Sequence, residues 1–243
     1  MTNTTENDSA DAHQSASDVL GRKAAHVLLD MGAVLFRPER PFFFSSGWAS
    51  PVYVNCKNLL SFPDARNELI ALSLQRIESV LEPGQFDGIA GAGGAGVPFA
   101  SIIADRLNLP LVVARKQAAG IGPRAQIDGE FGEGARLLLV DDVTTDGKTK
   151  ASMGAALRKA GASVQHVFVV FQYGIFDAVL NNDDLGIQLL SLLTWQELLQ
   201  QARERQDFSD AVIAQIEDYV RDPLLWSSRH GGISEQHFRR TQS

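Results

Sequence analysis

One stretch of the chain, a short apolar run that ends in two adjacent acids, limits the possible folds most. The run Leu137–Val140 has four residues, too few for a helix, and predicts a buried parallel strand. Asp141 and Asp142 follow directly, and after a loop of Thr, Gly and Lys a helical pattern extends to about residue 160. This order is typical of an α/β domain, whose ligands bind outside the carboxyl ends of the strands.

The loop after the two acids has the composition of a binding site for a sugar phosphate. A loop that opens a helix offers free backbone N–H groups and the positive end of the helix dipole to an anion. Gly147 allows a phosphate to approach the backbone closely, and Thr144, Thr145 and Thr149 add hydroxyl donors. The two carboxylates repel a phosphate but can accept hydrogen bonds from vicinal hydroxyls. The sequence therefore predicts that a ribose 5-phosphate binds here.

This stretch resembles the signature with which the type I phosphoribosyltransferases bind 5-phosphoribosyl 1-pyrophosphate (PRPP). The alternative, a strand with an acidic and solvated turn, explains the charges but not the ordered Thr-x-Gly-x-Thr that follows them. The resemblance implies an α/β, type I phosphoribosyltransferase fold with a mostly parallel central sheet flanked by helices and an N-terminal hood. It also implies that PRPP contacts Arg115, Lys116, Asp141, Asp142, Val143, Thr144, Thr145, Asp146, Gly147, Lys148 and Thr149.

A second unusual segment lies between two β-prone runs near the N-terminus. It reads Ser-Gly-x-x-Ser-Pro-x-Tyr from Ser46 to Tyr53 and predicts a hairpin or hood. The pattern resembles the N-terminal motif of the orotate phosphoribosyltransferases, in which the hood covers a flat pyrimidine. An edge hairpin with its aromatic residues buried in the core is the alternative. The resemblance implies that orotate contacts Ser46, Gly47, Tyr53 and Thr145, with Tyr53 as a stacking face.

The glycines at 91, 93 and 96 spell G-x-G-x-x-G between a predicted strand and a predicted helix, as in dinucleotide-binding proteins. However, the motif does not open the fold, and the next strand ends in Arg115 and Lys116 instead of an acid for a ribose hydroxyl. An NADP site would tolerate Arg115, so an NADP-dependent oxidoreductase stays an alternative. In the phosphoribosyltransferases this loop wraps the pyrophosphate of PRPP.

Residues 116–134 contain five glycines and a proline, which predicts a long loop without regular structure. The resemblance identifies it as the mobile catalytic loop, which often reaches into the site of the neighbouring subunit. Relatives commonly carry a further Lys and often a His there, whereas this chain has Ala119 and Ile121, with Arg124 as the only other cation. A catalytically weak or non-enzymatic PRPP-binding regulator is therefore the main alternative function.

The resemblance implies that the chain transfers the phosphoribosyl group of PRPP to orotate, which gives orotidine 5′-monophosphate and pyrophosphate. It implies Lys116, Arg124, Asp141 and Asp142 as catalytic residues and a homodimer as the assembly. Mg²⁺ would be bound mainly through PRPP, since the sequence shows no closed protein cage for a metal. A purine phosphoribosyltransferase, which would differ in the hood sequence, is a further alternative.

Composition limits the partners and the compartment. The formal net charge of −7 argues against broad binding of nucleic acid or anionic membranes, and no apolar run reaches the roughly 18 residues of a membrane span. The single cysteine, Cys56, cannot form an internal disulfide and suits the cytoplasm. We expect a disordered tail over residues 1–17, one domain over 18–226 with the hood at about 33–60, and a flexible tail over 227–243.

Hydrophobic periodicity predicts the remaining elements. Helices are expected over about 18–31, from Pro63 to about residue 80, after the glycine-rich turn, and over about 208–220. Strands are expected over 164–171 and 187–193, and a capping box of Thr194 and Glu197 should begin a helix.

Overall fold

A computed structural model describes residues 19–44, 46–82, 84–119, 121–174 and 186–233, and strands form its centre. The strands are β1 (Val34–Phe36), β2 (Phe42–Phe43), β3 (Ala49–Ser50), β4 (Val52–Val54), β5 (Gly88–Ala92), β6 (Leu111–Ala114), β7 (Ile127–Asp128), β8 (Arg136–Thr144), β9 (Ser163–Gln172) and β10 (Gln188–Leu193). In the described residues, β5 to β10 form one sheet in the order β10-β9-β8-β5-β6-β7. All neighbouring strands in this sheet are parallel except β6 and β7, which are antiparallel.

Helices cover both faces of this sheet. They are α1 (residues 19–30), α2 (Pro63–Val80), α3 (Gly96–Leu107), α4 (Lys148–Lys159), α5 (Trp195–Arg205), α6 (Asp210–Arg221) and α7 (Pro223–Arg229), with a 3-10 helix at Cys56–Ser61. Side chains alternate along β8, so Leu138 and Val140 join one hydrophobic cluster while Leu137 and Leu139 join another. The first cluster includes α1, α2, α3, α5 and α6, and the second includes α4. The expected α/β architecture, a mostly parallel central sheet flanked by helices, is confirmed.

Local sequence signals place the helix boundaries well. Pro63 occupies the first turn of α2, as expected, because its fixed φ suits that position. Thr194 and Glu197 form the complete capping box that begins α5. The first helix agrees with its predicted range as far as the described residues reach, and the expected tail over residues 1–17 lies outside them.

The hood consists of two short antiparallel pairs outside the central sheet. Strand β1 pairs with β4, and β2 pairs with β3 across a turn in which Gly47 adopts φ +89°. Trp48, Val52 and Val54 are buried in the same cluster as the sheet and the C-terminal helices. The hood therefore shares one hydrophobic core with the rest of the domain.

Two segments are more ordered than the sequence indicates. Strand β7 lies within the glycine-rich loop and pairs with the edge strand β6, although the composition predicts no regular structure there. Residues 227–233, expected to belong to a flexible tail, continue α7 and pack against the hood, where the amide of Ile233 donates to the carbonyl of Gly47 at 3.0 Å. Residues 234–243 lie outside the described residues.

Candidate active site

A cleft of about 870 Å³ opens between the hood and the carboxyl ends of β5, β6 and β8. It lies where the rule for open α/β sheets places ligands. Its walls are formed by Phe43, Phe44, Ser46, Tyr53, Lys57, Gly93, Gly94, Ala95, Arg115, Lys116, Asp141, Asp142, Val143, Thr145, Asp146, Lys148, Thr149, Lys150 and Tyr173.

Two buried acids at the end of β8 form the floor of this cleft. Asp141 and Asp142 are 7% and 6% exposed. Lys150, in the first turn of α4, is 8% exposed, and its Nζ lies 2.6 Å from Oδ2 of Asp141. Lys150 therefore neutralises the charge of Asp141, whereas Asp142 has no ion-pair partner in the described residues.

Asp142, the acid without an ion-pair partner among the described residues, has a raised pKa. Burial, followed by the negative charge of Asp141, raises the pKa of Asp142 from the ordinary 3.8 to about 7, while Lys150 opposes this increase. Because the pKa of Asp142 is higher in the folded than in the unfolded chain, protonation of Asp142 stabilises the fold at low pH. This contribution to the free energy of unfolding is lost as the pH rises from 3.8 to about 7. A ligand that donates hydrogen bonds to Asp142 would offset that cost.

The loop from β8 to α4 has the geometry of an anion site. Gly147 precedes α4 with φ +75° and, having no side chain, cannot cap the helix end itself. The amide of Lys148 donates to Oδ1 of Asp146 at 3.2 Å, whereas the amides of Thr149 and Lys150 have no acceptor inside the helix. The free amides and the helix dipole can bind a phosphate at the edge of the cleft.

Close packing explains the G-x-G-x-x-G spacing. A Cβ on Gly96 would lie 2.6 Å from the carbonyl oxygen of Val140 and 2.7 Å from Oδ1 of Asp141, so α3 approaches β8 more closely than any larger residue permits. A Cβ on Gly93 would lie 2.9 Å from the carbonyl oxygen of Ala114. Gly93 also lines the cleft. Gly96 thus brings the start of α3 to Asp141, and Gly93 brings the turn to the end of β6.

Cations line the opposite wall. Arg115 forms a bidentate ion pair with Asp128 of β7, its Nε lying 2.6 Å from Oδ2. Lys116 and Lys57 also line the cleft, and neither makes an ion pair within the described residues. Two lysines are therefore available for an anionic ligand.

Aromatic rings form the wall beneath the hood. The ring of Tyr53 lies 5.5 Å from that of Phe42 and 6.3 Å from that of Phe44. The hydroxyl of Tyr173 accepts a hydrogen bond from the amide of Val54 at 3.1 Å, and burial raises the pKa of Tyr173, which keeps it neutral. Tyr173 thus fixes β4 against the end of β9.

Most of the residues predicted from the sequence meet in this one cleft. Eleven of them line it, namely Ser46, Tyr53, Arg115, Lys116, Asp141, Asp142, Val143, Thr145, Asp146, Lys148 and Thr149. Gly47, Thr144 and Gly147 lie in adjoining backbone and are not part of its wall. Arg124 does not reach it either, because its guanidinium binds Oε2 of Glu130 at 2.9 Å and lies over the ring of Phe131.

Several residues of the cleft had no role predicted from the sequence, among them two lysines. Tyr173 is not one of these, because it follows the predicted strand 164–171, whose carboxyl end is expected to border the base pocket. Lys57 is separated from the central motif by many residues, and only the fold brings it to the cleft. Lys150 directly follows Thr149 in the first helical turn, so its position near the acids could have been inferred from helical geometry. Over the described ranges, no cluster of three or more possible metal ligands is found, and no helix is long and apolar enough to cross a membrane.

Comparison with known proteins agrees with the fold and the cleft. A family model of the phosphoribosyl transferase domain matches residues 55–200. The chain is 40% identical over 217 residues to the orotate phosphoribosyltransferase of Rhizobium johnstonii, an alignment that covers 89% of this chain and 94% of the relative. Its identity to the enzyme of the same name from Cereibacter sphaeroides is 41% over 211 residues, or 85% and 90% of the two chains.

A solved structure gives the same result. The orotate phosphoribosyltransferase from Aeropyrum pernix matches with a TM-score of 0.63 and 28% identity, over 74% of this chain and 99% of that chain. Fold, cleft and relatives agree, and the chain belongs to the orotate phosphoribosyltransferase family.

Proposed function

We propose that this cleft transfers the 5-phosphoribosyl group of PRPP to orotate, releasing pyrophosphate and giving orotidine 5′-monophosphate for pyrimidine synthesis. The observation that carries the proposal is the position of one buried acid pair between a helix N-terminus and an aromatic hood. Relatives that bear the name of this activity cover nearly the whole chain. An NADP-dependent oxidoreductase is less suitable, because these relatives bear the name of a phosphoribosyltransferase.

The phosphate and the ribose of PRPP bind at the end of β8. The amides of Thr149 and Lys150, together with the hydroxyls of Thr145 and Thr149, hold the 5-phosphate. Asp142, with Asp141 beside it, accepts hydrogen bonds from the ribose hydroxyls. As the sugar becomes oxocarbenium-like, these carboxylates also stabilise the developing positive charge.

The pyrophosphate binds at the opposite wall, next to the glycine-rich turn. Lys116 stabilises the negative charge of the leaving group, and Arg115 does so after exchanging Asp128 for phosphate oxygens. The bond from C1 of the ribose to pyrophosphate oxygen breaks, and its electron pair leaves with pyrophosphate. The bond from C1 to N1 of orotate forms with a lone pair of N1, whose proton is released.

The residues present fit a magnesium ion that arrives with PRPP. Asp141 is already paired with Lys150, and no protein cage is found in the described chain. The diphosphate and ribose oxygens of PRPP would therefore supply most ligands, with Asp142 within the same cleft. When bound, the ion neutralises charge on the leaving pyrophosphate.

The base binds beneath the hood. The ring of Tyr53 stacks on the pyrimidine, and the buried hydroxyl of Ser46, which has no partner among the described residues, donates to or accepts from its edge. Orotate carries a carboxylate that uracil lacks, and Lys57 is the unpaired cation nearest in sequence to Tyr53. We assign Lys57 to that carboxylate.

The proposal extends to the assembly and the compartment. Ile121 is fully exposed in the loop 116–134, which suits a loop that reaches a second subunit of a homodimer. Cys56 is buried and free, and burial raises the pKa of its thiol, which fits a cytoplasmic protein.

The decisive experiment is an absorbance assay with purified protein, PRPP, Mg²⁺ and either orotate or adenine. We expect the orotate absorbance to change only when PRPP is present, and no reaction with adenine. Asp142→Asn and Lys116→Ala should each reduce turnover strongly. PRPP binding without orotate turnover would instead support a regulator, and turnover of adenine would support a purine enzyme.

A further inference from the structure

The C-terminal segment 223–233, called here the clamp, lies on the outer side of the hood. It contains α7 and the residues after it, up to Ile233. The hood itself consists of two-stranded pairs, which are marginally stable without support. The position of the hood therefore depends on what packs against it.

Ser227 makes the central contact of the clamp. It is fully buried, and its Oγ accepts a hydrogen bond from the amide of Ala49 in β3 at 3.1 Å. The carbonyl of Ser227 accepts the amide of Gly232 at 2.9 Å, which turns the chain back toward the hood. The hydroxyl of Ser227 thus accepts a hydrogen bond from an amide of β3 that would otherwise need a partner strand.

The end of the clamp binds the turn that faces the cleft. The amide of Ile233 donates to the carbonyl of Gly47 at 3.0 Å, and a Cβ on Gly47 would lie 2.8 Å from the side chain of Ile233. The preceding residue, Ser46, lines the cleft. The clamp therefore holds the outer side of a turn whose inner side meets the base.

Packing leaves almost no freedom at this junction. A Cβ on Gly232 would lie 2.3 Å from Oγ of Ser227 and 2.5 Å from the amide nitrogen of Ala49. Tyr219 of α6 is fully buried, with its ring 5.5 Å from that of Trp226, which stacks in turn on His230 at 3.7 Å. The clamp is thus fixed to the domain core at its other end.

We propose that the clamp is a positioning element for the base site and that Ser227 is its key positioning residue. It sets the affinity for orotate by holding Ser46 and Gly47 in place, and it has little effect on PRPP, whose phosphate site lies at the end of β8. This inference rests on the proposed transfer to orotate.

The test compares Ser227→Ala with Ser228→Ala in the full-length chain. Ser228 is an exposed neighbour whose hydroxyl bonds only to the carbonyl of Leu225 in its own helix. Loss of one buried hydrogen bond partner should raise the KM for orotate about tenfold, with the KM for PRPP unchanged. Ser228→Ala should behave as wild type. Equal increases in both KM values, or an effect no larger than that of Ser228→Ala, would refute the clamp.

A second measurement uses the wild-type protein and does not depend on a variant that folds. Binding of orotidine 5′-monophosphate should slow amide hydrogen exchange both in the peptide that contains Ala49 and in the peptide that contains Ile233. Protection of the hood without protection of the clamp would overturn the inference. Failure of the wild type to bind the nucleotide or convert orotate would refute the proposed function instead.

Discussion

At the scale of single residues, the centre of the cleft is a charge balance that the sequence predicts only in part. The pair Asp141 and Asp142 could be predicted, since acids after a short apolar run fall at the carboxyl end of a strand. Their inequality could not, because it depends on Lys150, which pairs with one acid, and on burial, which raises the pKa of the other. Burial is a property of the folded chain and not of the motif.

Replacing Lys150 should change the pH dependence of the reaction. Lys150 holds the pKa of Asp142 down, so Lys150→Met should raise it above about 7. If ionised Asp142 binds the ribose, kcat/KM for PRPP decreases at low pH as Asp142 becomes protonated. In the variant this decrease should begin at a higher pH. A pH series on both proteins measures this, and titration of the substrate phosphates is common to both. If the decrease at low pH begins at the same pH in both proteins, Lys150 does not influence the group whose titration limits kcat/KM.

Replacing Lys57 should change the choice of base. A charged hydrogen bond to a carboxylate contributes about 1.5–3 kcal/mol, so Lys57→Met should lower kcat/KM for orotate by about 10- to 100-fold. Its effect on kcat/KM for uracil, which lacks the carboxylate, should be small. Lys57→Arg, which keeps the charge, is the matched control. A parallel loss with both bases would contradict the assignment.

At the scale of elements, the strands and helices follow from periodicity, whereas their close approaches do not. The spacing of Gly91, Gly93 and Gly96 is visible in the sequence, but it fits a dinucleotide loop as well as tight packing. In the structure Gly96 lies directly against Val140, but the third glycine of a dinucleotide-binding loop packs in the same way, so the relatives and not this contact distinguish the two interpretations. Strand β7 was missed since its two residues pair with β6 across a glycine-rich loop, and such a short pairing has no periodic pattern.

Gly96→Ala should therefore be costly. Its Cβ would lie 2.6 Å from a backbone carbonyl, so α3 must move away from β8, at a cost of about 1–3 kcal/mol in the free energy of unfolding. Gly132→Ala, where the Cβ meets nothing within 4 Å, is the control. Thermal unfolding of the two variants gives the comparison, and equal Tm values would show that the junction can relax.

At the scale of the whole molecule, the site is assembled from parts distant in sequence. The hood, the acid strand and the helix N-terminus could each be predicted from their own motifs. The contact of residues 227–233 with the hood could not, because a polar, serine-rich end has no hydrophobic pattern to indicate a partner. The amide of Ala49 finds that partner in a side chain 178 residues away.

Mixing two inactive proteins tests whether the proposed homodimer shares sites between its subunits. Lys116→Ala removes a loop cation, and Asp142→Asn removes an acid of the cleft floor. If the loop acts on the neighbouring subunit, a mixed dimer has one site with both groups intact, so random mixing should restore about a quarter of wild-type activity. Each protein alone is the control. No recovery after subunit exchange, verified by native mass spectrometry with one isotope-labelled protein, would show that each chain completes its own site.

The raised pKa of Asp142 also has a thermodynamic consequence for ligand binding. Near pH 7 the empty cleft carries this carboxyl partly protonated, whereas hydrogen bonds from a bound sugar favour its ionised form. Occupying the site then expels a fraction of a proton into solution. In calorimetry, buffers with different ionisation heats would therefore give different apparent enthalpies for the same ligand.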